Sequence, residues 1–153
     1  MMLILSFCPD VKVHHCGITQ TLEEMQDYMS DDKKVMPNGT FGIGVNPSAP
    51  AYEMKLVQDI YHKEALTHEY VQMIFAFDVD VELEPQKIRE ICQRIAAVLV
   101  LDERQVYAAI HQDTKKIHCH FMINYVGVNG DLYRQGHYVN YYKQCVNNIL
   151  FTH

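Results

Sequence analysis

Apolar and polar positions alternate with a period of two along Glu69–Phe77. Val71, Met73, Phe75 and Phe77 fall on one side, and Tyr70, Gln72, Ile74 and Ala76 on the other. That pattern predicts a strand. The period changes after Pro85, which suits a first helical turn. From there Ile88, Ile91, Cys92, Ile95 and Leu99 form one apolar stripe of a helix reaching about Leu101. Val106 to Ile110 alternates again, with Tyr107, Ala109 and His111 on one side. A second strand begins near Ile117. Upstream, Thr21-Leu22-Glu23-Glu24 is a capping-box pattern that opens a helix ending near Met29. Met2 to Phe7 reads as a first strand, with Lys12 to Cys16 as an extension. Ala51 to Ala65 reads as a helix, with Tyr52, Leu56, Ile60 and Tyr61 on one side. Between these, Asp31 to Pro50 holds three glycines and three prolines and reads as a 20-residue loop. Loops of that length are often functional. Asn129-Gly130 marks a tight turn, and Val139 to Phe151 reads as a closing helix. The order β-α-α-β-α-β-β-α predicts an α+β fold, with an antiparallel sheet and helices packed on one face. The other face is then available for chemistry.

Composition adds boundaries to this picture. The 153 residues are the size of one domain, and 48% are hydrophobic, enough for a substantial core. No apolar run approaches a membrane span. The apolar start lacks a basic flank and leads into Cys8-Pro9-Asp10, so it reads as a strand rather than a secretory signal. Five cysteines are scattered without a Cys-x-x-Cys pair. They fit reduced thiols in a cytoplasmic protein better than a disulfide framework. The net charge of −6 argues against a strong non-specific grip on nucleic acid. Lys33-Lys34 and Lys115-Lys116 are local basic pairs against that background.

The candidate chemistry sits in Ile110-His111-Gln112-Asp113-Thr114-Lys115-Lys116-Ile117-His118-Cys119-His120-Phe121. His118 and His120 are two apart and share a strand face. Six residues separate His111 from His118, which suits a hairpin that sets these two opposite each other. Three imidazoles then converge on one face, as in a divalent-metal site with positions left open to substrate. Asp113 is a candidate for the group that receives a spare ring N–H and fixes the tautomer. Cys119 points to the opposite face and belongs to the core.

These motifs, in order along the chain, resemble the relaxase (mobilisation nuclease) family of plasmids and integrative elements, within the HUH endonuclease class. Asp27-Tyr28-Met29-Ser30, with Lys33-Lys34 just after it, is similar to the family's early tyrosine motif. Ala51-Tyr52-Glu53-Met54 with Tyr61-His62-Lys63 is similar to its connecting helix, and Tyr70 to Phe77 to its central strand. His111-Gln112-Asp113-Thr114 and Ile117-His118-Cys119-His120-Phe121, followed by Asn124, are similar to its metal motif. Asn129-Gly130-Asp131-Leu132 is similar to the turn that follows.

The resemblance implies a metal-dependent, strand-specific DNA nickase acting at an origin of transfer in the bacterial cytoplasm. Tyr28 would be the nucleophile and would leave a 5′-phosphotyrosine. His111, His118 and His120 would hold Mn²⁺ or Mg²⁺, and imidazole ligands suit Mn²⁺ better. Lys33, Lys34, Lys115 and Lys116 are candidate phosphate contacts. The expected partner is single-stranded origin DNA beside a hairpin. The chain is short and acidic for such a domain. It is expected to be a single relaxase-like domain over 1–153, either a truncated core or a compact member aided by an accessory DNA-binding protein. Two alternatives stay open. A rolling-circle replication initiator or single-tyrosine transposase would use Tyr138, Tyr141 or Tyr142, beside Lys143. A non-catalytic metal-binding or DNA-binding module would cut nothing.

Overall fold

The computed structural model describes residues 12–15, 21–63, 66, 68–77, 82–100 and 103–133, together with 144 and 148. Their elements are β1 (Lys12–His15), α1 (Leu22–Met29), β2 (Val35–Ile43), α2 (Pro50–Ile60), β3 (Tyr70–Ala76), α3 (Pro85–Leu99), β4 (Val106–His111) and β5 (His118–Asn124). The strands form one sheet in the order β1-β3-β5-β4-β2, every pair antiparallel. The expected α+β class with an antiparallel sheet is what the chain adopts. The strand expected at Met2–Phe7 lies outside the described residues. So does the closing helix, apart from Gln144 and Asn148, which are helical.

Helix α3 covers one sheet face. Its stripe of Ile88, Ile91, Cys92, Ile95 and Leu99 packs on Val71, Met73, Phe75, Ile110, Cys119, Phe121 and Ile123. Each fully buried large apolar side chain in such a layer contributes about 1.5–3 kcal/mol. The histidines occupy the opposite face, as expected. That face also carries α1 and α2, through a second core of Leu22, Met25, Met29, Ala51, Met54, Tyr70, Tyr107, Ala109 and Met122.

Helix α1 begins where the sequence places it. The Thr21 hydroxyl accepts from the Glu24 N–H at 3.1 Å, and the Glu24 carboxylate accepts from the Thr21 N–H at 2.9 Å. Two other readings need correction. Val35–Ile43, within the expected loop, is a strand. It lies at an edge of the described sheet, where Pro37 costs no ladder bond, and its register with β4 shifts between Val35 and Thr40. Gly42 is there for close approach, since a Cβ would stand 2.3 Å from the Val45 carbonyl oxygen. These breaker residues hid the strand. Helix α2 ends at Ile60 rather than Ala65, and its Tyr52, Leu56 and Ile60 are exposed. Ala51, Met54 and Gln58 face inward instead. The Gln58 amide is accommodated by donating to the Glu69 carbonyl and the Asn124 Oδ1, each at 2.9 Å. The helix stops at Ile60 because His62 turns left-handed, at φ 56°.

Candidate metal centre

The β4–β5 hairpin has the register expected from the spacing. His111 pairs with His118, and Ala109 pairs with His120. All three imidazoles therefore rise from one face. One ligand atom from each ring lies within 4.8 Å of the others. Ring centroids are 4.4 Å apart for His111–His120, 5.0 Å for His118–His120 and 5.3 Å for His111–His118.

Hydrogen bonds assign a role to each ring nitrogen. His111 donates from Nε2 to the Met29 carbonyl at 2.9 Å. Its Nδ1 is then the lone-pair atom, buried and without a hydrogen-bond partner among the described residues. His118 donates from Nδ1 to the Lys116 carbonyl at 2.9 Å, which frees Nε2. His120 donates from Nδ1 to the Gln72 Oε1 at 3.3 Å, which puts the ring's lone pair on Nε2. A neutral imidazole that gives one N–H to an acceptor offers its other nitrogen to a cation in a fixed direction. The donor set therefore fits a divalent metal. His111 and His120 are buried and His118 is half-buried, so the cluster opens towards solvent on the His118 side.

Burial pushes the His111 pKa below the usual imidazole value, against an upward pull from its bond to the Met29 carbonyl. The charges of His118 and Lys34 press the same way as burial, and that of Asp113 opposes them. The neutral form, which is the ligating form, is thereby favoured.

Tyr28, far from the histidines in sequence, is brought to this cluster by α1. It lies in the last turn of α1, half-exposed, with its ring edge-on to His120 at 5.5 Å and to His111 at 5.8 Å between centroids. The Lys34 ammonium lies 4.0 Å from the centre of the Tyr28 ring. Lys34 is held there because its carbonyl accepts from the Gln112 N–H at 2.8 Å, at the start of the histidine hairpin. A phenol, an ammonium and three imidazoles thus share one patch. The other candidates stand further out. Lys33 and Lys115 are exposed. Lys116 contributes its carbonyl to His118. Asp113 is exposed in the hairpin loop and acts on His111 through its charge. The ring N–H groups go to Met29, Lys116 and Gln72. Tyr138, Tyr141 and Tyr142 lie outside the described residues.

The nuclease-domain model of the relaxases, described as MobA/VirD2-like, matches residues 25–150. The chain belongs to that family. This relaxase domain also superposes on a solved structure reported as "Molecular Basis of Vancomycin Resistance Transfer in Staphylococcus aureus". The TM-score is 0.69 and the identity 12%, covering 92% of this chain and 89% of that one. At that identity the likeness is one of fold. No curated protein matches the sequence. Family membership places the protein among the mobilisation nucleases, which act on DNA. Among the described residues, no helix is long and apolar enough to cross a membrane.

Gln72 stood out on the central strand as a polar position that could line the site, but nothing in the spacing tied it to His120. Two elements of the relaxase site escaped the sequence reading. The Met29 and Lys116 carbonyls carry no side-chain signal at all. The Ser30 and Tyr107 hydroxyls meet at 2.6 Å although 77 positions separate them, a contact no local pattern reports.

Proposed function

We propose that this relaxase nicks one DNA strand in a metal-dependent reaction, with Tyr28 as the nucleophile, at the origin of transfer of a mobile element. The observation that carries the reading is the convergence of one ligand atom from each of three imidazoles, within 4.8 Å of one another, beside the half-exposed Tyr28 ring. His111 Nδ1, His118 Nε2 and His120 Nε2 would hold the cation, Mn²⁺ in preference to Mg²⁺ on ligand chemistry. When bound, the cation would neutralise charge developing on the oxygens of the scissile phosphate.

The remaining work falls to the chain. The Tyr28 hydroxyl oxygen attacks phosphorus and forms a new P–O bond. The bond from phosphorus to the 3′ oxygen breaks, and the phenol's proton passes to solvent as the 3′ oxygen gains one. The products are a 5′-phosphotyrosine and a free 3′-OH. A phenol is a weak nucleophile until deprotonated or oriented. Its helix-end position beside the imidazoles supports orientation as the main contribution. Lys34 supplies a positive charge where phosphate would approach, with Lys33, Lys115 and Lys116 at greater distance. Asp113 tunes His111 by its charge. An overall negative charge leaves little non-specific affinity. The reading therefore includes sequence-specific single-stranded DNA beside a hairpin as substrate, with help from an accessory DNA-binding protein. The setting is the bacterial cytoplasm.

The test is a supercoiled plasmid carrying the DNA that flanks this protein's own gene, incubated with Mn²⁺ or with EDTA. The expected result is a nicked circle bearing protein on its 5′ end, with Mn²⁺ alone, and none with Tyr28→Phe. An adduct that survives Tyr28→Phe and is lost in Tyr141→Phe/Tyr142→Phe would move the nucleophile to the C-terminal segment. Unchanged topology under every condition would favour a non-catalytic module.

A further inference from the structure

The Tyr28 side chain projects from the solvent side of α1, so core packing does not by itself fix its direction. Helix α1 has eight residues, of which Leu22, Met25 and Met29 are buried. A helix this short gains little from its own hydrogen bonds, and its last carbonyls have no partner within the helix. Something must hold the end that carries Tyr28.

Two hydrogen bonds from β4 reach that end. The Met29 carbonyl accepts the His111 Nε2 proton at 2.9 Å. One residue further on, the Ser30 hydroxyl meets the Tyr107 hydroxyl at 2.6 Å. Tyr107 is buried on the histidine face of β4, four positions before His111. Its ring is packed among α1, α2 and the sheet. Its hydroxyl has been brought to the surface of that core at the residue after Met29. Burial raises its pKa, and the bond to Ser30 opposes this only partly, so the phenol stays protonated.

We infer that Ser30 and Tyr107 are positioning residues that clamp the C-terminal end of α1 and so aim the Tyr28 hydroxyl at the metal centre. The inference rests on the reading of Tyr28 as nucleophile. The two bonds follow Tyr28 directly: one is made by the residue after it to His111, the other by the next residue to the same strand. An angular error at the end of a short helix becomes a displacement at the far end of a tyrosine. A misplacement of about 1 Å can cost a hundredfold in rate. Tyr107 is thus a phenol that never touches DNA but governs the one that does.

The test uses Tyr107→Phe, which keeps the ring in the core, and Ser30→Ala, each checked for an unchanged melting temperature within a few degrees. The readouts are the rate of adduct formation on the flanking-DNA plasmid and the affinities for Mn²⁺ and for the DNA. A further readout is hydrogen exchange at the backbone amides of Tyr28 to Ser30. Expected are a loss of about tenfold or more in maximal rate, little change in either affinity, and faster exchange at those amides. The double variant should be no slower than either single one, since both break the same contact. Ser30→Thr, which keeps the hydroxyl, should restore the rate. Wild-type rates in both single variants, with Tyr28→Phe inactive, would overturn the clamp while leaving the nucleophile in place. Additive losses, or losses confined to affinity, would overturn it too. An adduct that survives Tyr28→Phe would remove the nucleophile assignment and the clamp together.

Discussion

Replacing Gln72 by Leu tests whether the proposed metal centre depends on groups that touch no metal. Leucine keeps much of the side-chain bulk on β3 and removes the oxygen that accepts the His120 Nδ1 proton. That oxygen lies 3.3 Å from Nδ1, at the long end of hydrogen-bond geometry. Partners of this kind typically account for 10- to 100-fold in metal affinity. The long contact puts the expected loss near the lower end, about tenfold, equivalent to about 1.4 kcal/mol. Two effects combine in that figure: the imidazole becomes a weaker donor to the cation, and its ring is freer to rotate away. Glutamate at the same position accepts the same proton with a full negative charge and should tighten binding instead. Isothermal titration of the purified protein with Mn²⁺ measures both. Unchanged affinity in Gln72→Leu, in a protein that melts like wild type, would mean that His120 is not held by Gln72 or does not ligate. Either outcome would refute the assignment of nitrogen roles.

Two further effects follow from the same physical picture. Because burial lowers the His111 pKa, the unfolded chain binds that proton more readily than the folded one. The corresponding stability is present in full above about pH 6.5, the ordinary imidazole value, and is lost as pH falls through the lowered folded value. Metal-free wild type should lose more stability than His111→Asn between pH 7.5 and 5.5 in urea titrations; equal slopes would contradict this. Thr21→Ala removes one half of the capping box at the start of α1 and should cost about 1 kcal/mol in the same assay. Its amide exchange should rise in the first turn of that helix, and a uniform rise across the sheet would contradict a local cap.

The site was more legible than the surface around it. The spacing of His111, His118 and His120 contains the hairpin register, because a strand has a period of two and a six-residue loop restricts how its ends pair. The stripe on α3 and the capping box on α1 were legible for similar reasons: both are local and periodic. The edge strand Val35–Ile43 was not, because proline and glycine are tolerated where one side of a strand needs no ladder partner. The inward side of helix α2 was not legible from its pattern either. Gln58 goes inside because its Nε2 donates to Asn124 and to the Glu69 carbonyl, partners that are distant in sequence. The meeting of Tyr28 with the histidines was suggested by family resemblance rather than by spacing. Physically it results from α1 docking on β4 through Met29, Ser30, Tyr107 and His111. Each contact there spans more than seventy positions.

The most direct measurement is anomalous diffraction from crystals of this protein grown with millimolar Mn²⁺. The expected result is one manganese peak bonded by His111 Nδ1, His118 Nε2 and His120 Nε2, next to the Tyr28 ring. A map without a peak at that position, or with the manganese bound by other side chains and the three rings turned away, would contradict the proposed centre.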